Sequence, residues 1–335
     1  MDEIIGYDNA ELDGPMLFGR VLDGKGGARA IGWDDAKGWE PREPGEMLWV
    51  HLRCTEPGIA EWFDSGLGIP ATTARLLLLD DTRPRAFREG NALVAILRGI
   101  NFNPGAEPED MISMQLWCDG ARLVTLRSQK LQTPRETLAQ VDGGSGPQDA
   151  GALITSLVER MIARMNSSIV DMNDHIDVLE ETHPDEDIEN KLGKIATIRR
   201  NCLALQRHMS PQHEALEHIA RDAPAWFEEH DRREIAETID RLRRYLDDLD
   251  ISKESALVLQ DEVRARAVAN TDRTSYLLTI VAAIFLPLGF LTGLLGINVG
   301  GMPGVDNPEA FWGVVGLCGL ILVMQLVLFW RWRWF

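Results

Sequence analysis

The chain has 335 residues, a formal net charge of −18 and 45% hydrophobic side chains. An acidic excess of that size excludes nucleic acid and an anionic membrane surface as electrostatic partners; it suits the gathering of cations, although solubility alone also explains most of it. Four scattered cysteines, Cys54, Cys118, Cys202 and Cys318, form no CxxC pair, which excludes a disulfide framework and fits a reducing compartment. Met1 to Ala10 is acidic with no apolar stretch, so no secretory leader is expected there.

Residues 1–147 read as a mixed α/β domain. Leu17 to Leu22, Met47 to Leu52, Ala92 to Gly99, Met111 to Trp117 and Arg122 to Arg127 are short runs rich in aliphatic and aromatic side chains, the signature of strands. Asp23-Gly24, Asn103-Pro104-Gly105 and Asp119-Gly120 supply turns between them, and the last predicts a hairpin. Helices fit Pro57 to Ser65 and Pro70 to Leu79. His51-x-x-Cys54 has metal-like spacing, but it begins inside a strand-like run, where ordinary packing is the competing reading. Gly143-Gly144-Ser145-Gly146-Pro147 marks a flexible joint.

Residues 148–274 read as a helical stalk. Leu153, Leu157, Met161, Met165, Ile169, Met172, Ile176 and Leu179 recur at three- and four-residue steps, a single apolar face. His183-Pro184 ends that stripe, because proline disfavours helix in the residue before it. A second helix is expected from Asp185 to Arg221, striped by Ile188, Leu192, Ile195, Ile198, Leu205 and Met209, with Pro211 inside it. Pro224 suits the first turn of a third helix, and neither Gly nor Pro intervenes between Ala225 and Leu286. A helix from Ala225 to Leu295 would run roughly 105 Å. Its stripe through Ile235, Ile239, Leu242, Leu246, Leu249, Leu257, Val263 and Val268 needs partners. His175, His183, His208, His213, His218 and His230 also lie in this part; surface histidines are the default, with regulatory zinc sites as the alternative.

The last sixty or so residues are the most informative. Tyr276 to Leu295 and Phe311 to Trp330 are apolar runs of about 20 residues, each long enough to cross a hydrocarbon core of roughly 30 Å, and they set the two spans at residues 275–298 and 311–331. Between Arg273 and Arg331 the only charged side chains are Asp306 and Glu309, both in the connecting segment 299–310. Arg264, Arg266 and Arg273 precede the first span, and Arg331 and Arg333 follow the second. The positive-inside rule therefore places both termini, with the 332–335 tail, in the cytoplasm and only the short loop outside. Trp312, Trp330, Trp332 and Trp334 sit where interfacial rings prefer to lie. Two spans cannot enclose a pore, so transport would require a ring of subunits.

Tyr276 through Leu295 followed by Gly296-Ile297-Asn298 resembles the first membrane helix and Gly-x-Asn signature of the CorA metal-ion transporter superfamily. Val299-Gly300-Gly301-Met302-Pro303-Gly304 is closer to the ZntB zinc-transporter branch than to the magnesium branch, which usually has Gly-Met-Asn and a more acidic loop. Thr82-Arg83-Pro84-Arg85 and Leu97 to Met111 resemble ZntB cytoplasmic segments, so the likeness covers essentially the whole chain. It implies a CorA-like funnel: an α/β cytoplasmic domain, a long helical stalk and two transmembrane helices per subunit. It also implies a homopentamer in a bacterial inner membrane, with the lipid bilayer and divalent cations as its other partners. No cofactor is expected; zinc is the cargo.

Under that resemblance Asn298 presents a ring of carboxamide oxygens to the water shell of a cation, and Gly296 lets the backbone leave the helix. On spacing alone, Gly296-Ile297-Asn298 reads equally as an ordinary helix C-terminus. Asp272, Ser275, Leu278, Thr279, Ala282, Leu286, Gly289 and Gly293 fall on roughly one face, the pore face implied by the resemblance. Leu278 and Leu286 suit apolar constrictions; Asp272 suits a carboxylate ring at the cytoplasmic mouth or an ordinary solvated position. Asp306 and Glu309 suit cation recruitment or a plain polar loop. No His, Cys, Asp or Glu lies between Tyr276 and Asn298, so zinc would pass hydrated and a proton relay has no group inside the span. Three readings compete: a zinc-preferring transporter, with proton coupling carried over from the ZntB branch; a broader magnesium, cobalt or nickel channel; and a membrane-anchored metal sensor. An enzyme is the weakest, with no phosphate-cradling loop, nucleophile elbow or HExxH cluster.

Overall fold

The computed structural model of the chain describes residues 15–80, 83–107, 109–181, 188–297, 307 and 309–331. The N-terminal part alternates strands and short helices: β1 (Met16–Leu22), β2 (Ala28–Ala30), α1 (Trp33–Lys37), β3 (Met47–Arg53), α2 (Ile59–Ser65), α3 (Ala71–Leu78), β4 (Arg85–Glu89), β5 (Ala92–Gly99), β6 (Ile112–Cys118), β7 (Arg122–Arg127) and α4 (Gln132–Asp142). The strands form one mixed sheet in the order β2-β1-β3-β7-β6-β5-β4. Among the described strands only β3 and β7 run parallel. Helices cover both faces, which is why the central strands read as continuous apolar runs. Leu48, Val50, Leu52, Val124 and Leu126 pack with Ile59, Trp62, Phe63 and Leu77 of α2 and α3. On the other face Gly99 sits against Leu131 and Met161, where a Cβ would come within 3.0 Å and 3.3 Å of their side chains.

The five predicted strands and the β6–β7 hairpin are present, with Asp119 donating its amide to the Arg122 carbonyl and Gly120 at φ 99°. Four elements escaped the sequence pattern. β2 and β4 are the short or charged edges of the sheet, where little apolar surface is needed. The helix α1 has five residues, and α4 buries Thr133 and Thr137 beside Leu138 and Val141, which thins its apolar stripe.

The helical part comprises α5 (Ala150–Ala163), α6 (Met165–Glu181), α7 (Ile188–Asp222), α8 (Glu229–Leu295) and α9 (Ala310–Arg331). The predicted stripe from Leu153 to Leu179 is buried throughout, but Arg164 interrupts the helix that carries it. Pro211 is accommodated inside α7, which packs along β4 and β5; the next side chain, Gln212, accepts the Arg98 amide at 2.6 Å. The third helix opens at Glu229, not at Pro224. Pro224 instead forms a turn closed by the Phe227 amide, and the Trp226 indole donates to the Asn91 carbonyl. Asp231, in the first turn of α8, accepts the Glu228 amide at 2.8 Å, a side chain reaching back to cap the true start.

The chain divides into two compact units, Met1–Gln260 and Asp261–Phe335. Within the first, α8 buries Ile235, Leu242, Leu249 and Ala256 at seven-residue intervals, with Thr238, Ser252 and Leu259 three positions after. That is the a/d spacing of helices packed side by side. Ser252 donates to Asn173 of α6 at 2.5 Å, and Gln206 of α7 donates to Asp250 at 2.8 Å. The stripe expected on α8 is therefore partly displaced: Leu246 and Leu257 are only half-buried, and Val268 is exposed.

Candidate functional site: the membrane hairpin

Within residues 261–335 the membrane-length helices are α9 and the final part of α8, the two described helices long and apolar enough to cross a bilayer. On α8, Ile280 is buried and Ala283, Ile284, Leu288 and Leu291 are half-buried. On α9, Val314, Cys318, Ile321 and Gln325 are half-buried and Phe329 is buried, again one face. A hydrogen bond from Gln325 Nε2 to the Ala283 carbonyl, 3.0 Å, joins the two helices there.

The predicted pore residues lie on the other side of α8. Asp272, Ser275, Leu278, Thr279, Ala282, Leu286, Gly289 and Gly293 are all exposed in the single chain. At about 100° per residue they cluster opposite the Ile280–Leu291 stripe. A Cβ built at Gly289 or Gly293 meets nothing within 4 Å, so no contact inside the chain requires glycine at either position. The Thr279 and Thr292 hydroxyls donate to the Ser275 and Leu288 carbonyls of their own helix, leaving the face without free donors at those points. Gly296 ends the helix, its amide donating to the Thr292 carbonyl at 2.9 Å, and Ile297 follows exposed. Asn298 and Asp306 lie outside the described residues. Glu309 is exposed beside the first turn of α9, its amide bonded to the Asn307 side chain at 3.0 Å. An acid there also complements the positive end of the helix, a purely structural use.

Elsewhere the structure removes one metal candidate and shows another cluster. His51 stacks on Phe18 and meets the Thr125 hydroxyl at 2.9 Å, whereas Cys54 belongs to the core beneath α2 and α3. The two side chains point to opposite faces of the sheet, so His51-x-x-Cys54 is strand packing. Burial drives the His51 pKa well below its ordinary value and raises that of Cys54. His183 lies outside the described residues; His213 is near Glu217 and His218 near Arg221. The unpredicted cluster is Asp149, His230 and Asp231, whose donor atoms lie within 4.8 Å of one another. Asp149 caps α5 through the Ala152 amide at 2.8 Å, Asp231 caps α8, and His230 Nε2 sits 3.1 Å from Asp231. Burial raises the Asp231 pKa. Two helix caps converging on one histidine account for the group, and a Cβ on Gly151 would fall 1.9 Å from Asp231 Oδ2. Only the reach-back spacing from Glu228 to Asp231 hinted at it in the sequence.

The family profile described as CorA-like Mg2+ transporter protein matches residues 44–331. The divalent cation transporter CmaX of Pseudomonas aeruginosa is 36% identical over 330 residues, 98% of this chain and 99% of that one. The zinc transport protein ZntB of Pectobacterium atrosepticum is 34% identical over 290 residues, 87% of each chain. Full-length CmaX superposes with a TM-score of 0.83 at 34% identity, covering 97% of this chain and all of that one. The chain belongs to the CorA-like family, and its relatives place it with the ZntB branch. Those relatives are transporters and not enzymes, as the sequence led one to expect.

Proposed function

We propose that the protein carries divalent cations across a bacterial inner membrane as a homopentamer, with both termini cytoplasmic and five copies of α8 around the pore. The single observation that carries this reading is the placement of the eight candidate pore residues. They cover the face of α8 opposite the α9 contact, and their glycines touch nothing in their own chain. Small residues on an unpartnered membrane face favour close approach of further helices. Asn298 then forms the outer carboxamide ring, Leu278 and Leu286 narrow the path, and Asp272 and the loop acids Asp306 and Glu309 concentrate cations at its two mouths. Zinc is the preferred cargo, on the Gly-Ile-Asn and Gly-Gly-Met-Pro-Gly pattern, and it passes hydrated because the span offers no N, S or carboxylate ligand.

A broader divalent channel is the second reading, favoured by the relative named simply for divalent cation transport. Ion flux into proteoliposomes decides between them when zinc is compared with magnesium, with and without a pH gradient. Zinc flux accelerated by the gradient supports proton-coupled zinc transport, whose proton site must then lie outside the span. Gradient-independent flux of both ions selects the broader channel, and no flux from an assembled oligomer overturns transport in favour of an anchored sensor.

A further inference from the structure

Pro287 stands inside the membrane part of α8. Proline has no backbone N–H, so the carbonyl four residues earlier loses its intrahelical donor. That carbonyl belongs to Ala283, and it is the one that Gln325 of α9 reaches, at 3.0 Å. Gln325 is the only side-chain amide in α9, which otherwise holds apolar residues up to Arg331. The neighbouring hydroxyls cannot substitute, since Thr279 and Thr292 donate to Ser275 and Leu288. At membrane depth both partners need this bond: a freed carbonyl and a lone amide are each costly in hydrocarbon. The one side-chain amide of α9 thus meets the one carbonyl that the proline frees on α8.

We infer that Gln325 is a positioning residue, a latch from the outer helix that closes the proline gap in the pore helix. Leu286 and Gly289 flank Pro287 on the proposed pore face. The hinge region that proline creates is therefore held from behind, and the latch sets how Leu286 is presented to the ion path. This last step rests on the transport reading above; the hydrogen-bond latch itself does not.

The test is a double-mutant cycle on the full-length protein: wild type, Gln325→Met, Pro287→Ala and the pair. Methionine keeps the side-chain length and removes the donor, whereas Pro287→Ala restores a backbone N–H for the Ala283 carbonyl. The first readout is the thermal midpoint of the purified oligomer, which needs no knowledge of the cargo. Gln325→Met is expected to lower it in the wild-type background and to leave it unchanged in the Pro287→Ala background. The second readout is the zinc and magnesium concentration dependence of flux. Gln325→Met is expected to lower the maximal rate about threefold, what an average interhelical hydrogen bond in a membrane is worth, with the half-saturating concentration unchanged. Combined with Pro287→Ala it lowers nothing further. An equal loss in both backgrounds, or none in either, overturns the latch. If Gln325→Met alone fails to assemble, recovery of the double variant supports the latch and its failure overturns it. A wild-type protein that carries neither ion sinks the transport reading while the thermal cycle still decides the latch.

Discussion

The sheet of the first unit and the paired helices of the second treat large apolar side chains in opposite ways. Trp49 and Phe63 are fully buried, whereas Leu286, Phe290 and Trp312 are 72%, 71% and 71% exposed in the single chain. The first unit buries the large side chains of its central sheet and the helices on it, and pairs buried polar groups such as the Gln212 oxygen with the Arg98 amide. Among its described residues the second joins one stripe of each helix through the Gln325-to-Ala283 hydrogen bond, and under the transport reading the remaining apolar surface faces lipid and further subunits. The contrast separates residues packed within the chain from residues whose proposed role requires an assembly.

The largest expected effect falls on the assembly side. Asn298→Ala abolishes divalent uptake into proteoliposomes while the oligomer, measured by its mass in detergent, stays assembled; wild-type flux would remove Asn298 from the mechanism. On the packed side, Phe63→Ala lowers the unfolding free energy of the full-length protein by about 3–5 kcal/mol, because it opens a cavity in a packed core. Phe290→Ala costs about 0.5 kcal/mol or less by the same assay, as for any side chain without neighbours in its chain. A loss matching that of Phe63 would show that another protein surface covers Phe290.

Asp231 gives a smaller and pH-dependent effect. Replacing it by alanine removes the cap on α8 and costs about 1 kcal/mol. Asp231→Asn keeps an acceptor for the Glu228 amide and removes a charge that burial disfavours. Because the folded-state pKa of Asp231 is raised, its contribution is present below the unfolded value of 3.8 and is lost as pH rises through the folded value. The Asp231→Asn variant therefore gains on wild type across that rise, and the two converge at low pH; a gap that stays constant in a pH series of thermal midpoints refutes the buried charge. The smallest effect belongs to the loop. Asp306→Asn with Glu309→Gln lowers uptake mainly at low ion concentration, and an unchanged concentration dependence returns Glu309 to its place beside the α9 start.

Much of this was legible in one dimension. The five central strands, the β6–β7 hairpin and the buried stripe from Leu153 to Leu179 follow from local periodicity, because each element buries surface that its own residues announce; the two membrane-length helices follow from apolar length alone. Edge strands β2 and β4 and the polar helix α4 stayed hidden, since their apolar content is small and neighbours supply the rest. Arg164 as a break and Glu229 as the start of α8 also escaped; the latter is fixed by Asp231 reaching back and by Trp226 bound to the distant Asn91 carbonyl.

The sequence by itself determined that two apolar helices of membrane length exist and which residues of the first share a face, because length and helical step are properties of a single segment. The tertiary structure alone decided which face of α8 meets α9, that Asp149 and Asp231 converge and that Gln325 finds the carbonyl freed by Pro287. Each of those depends on the register between segments distant in sequence, and no local pattern encodes a register.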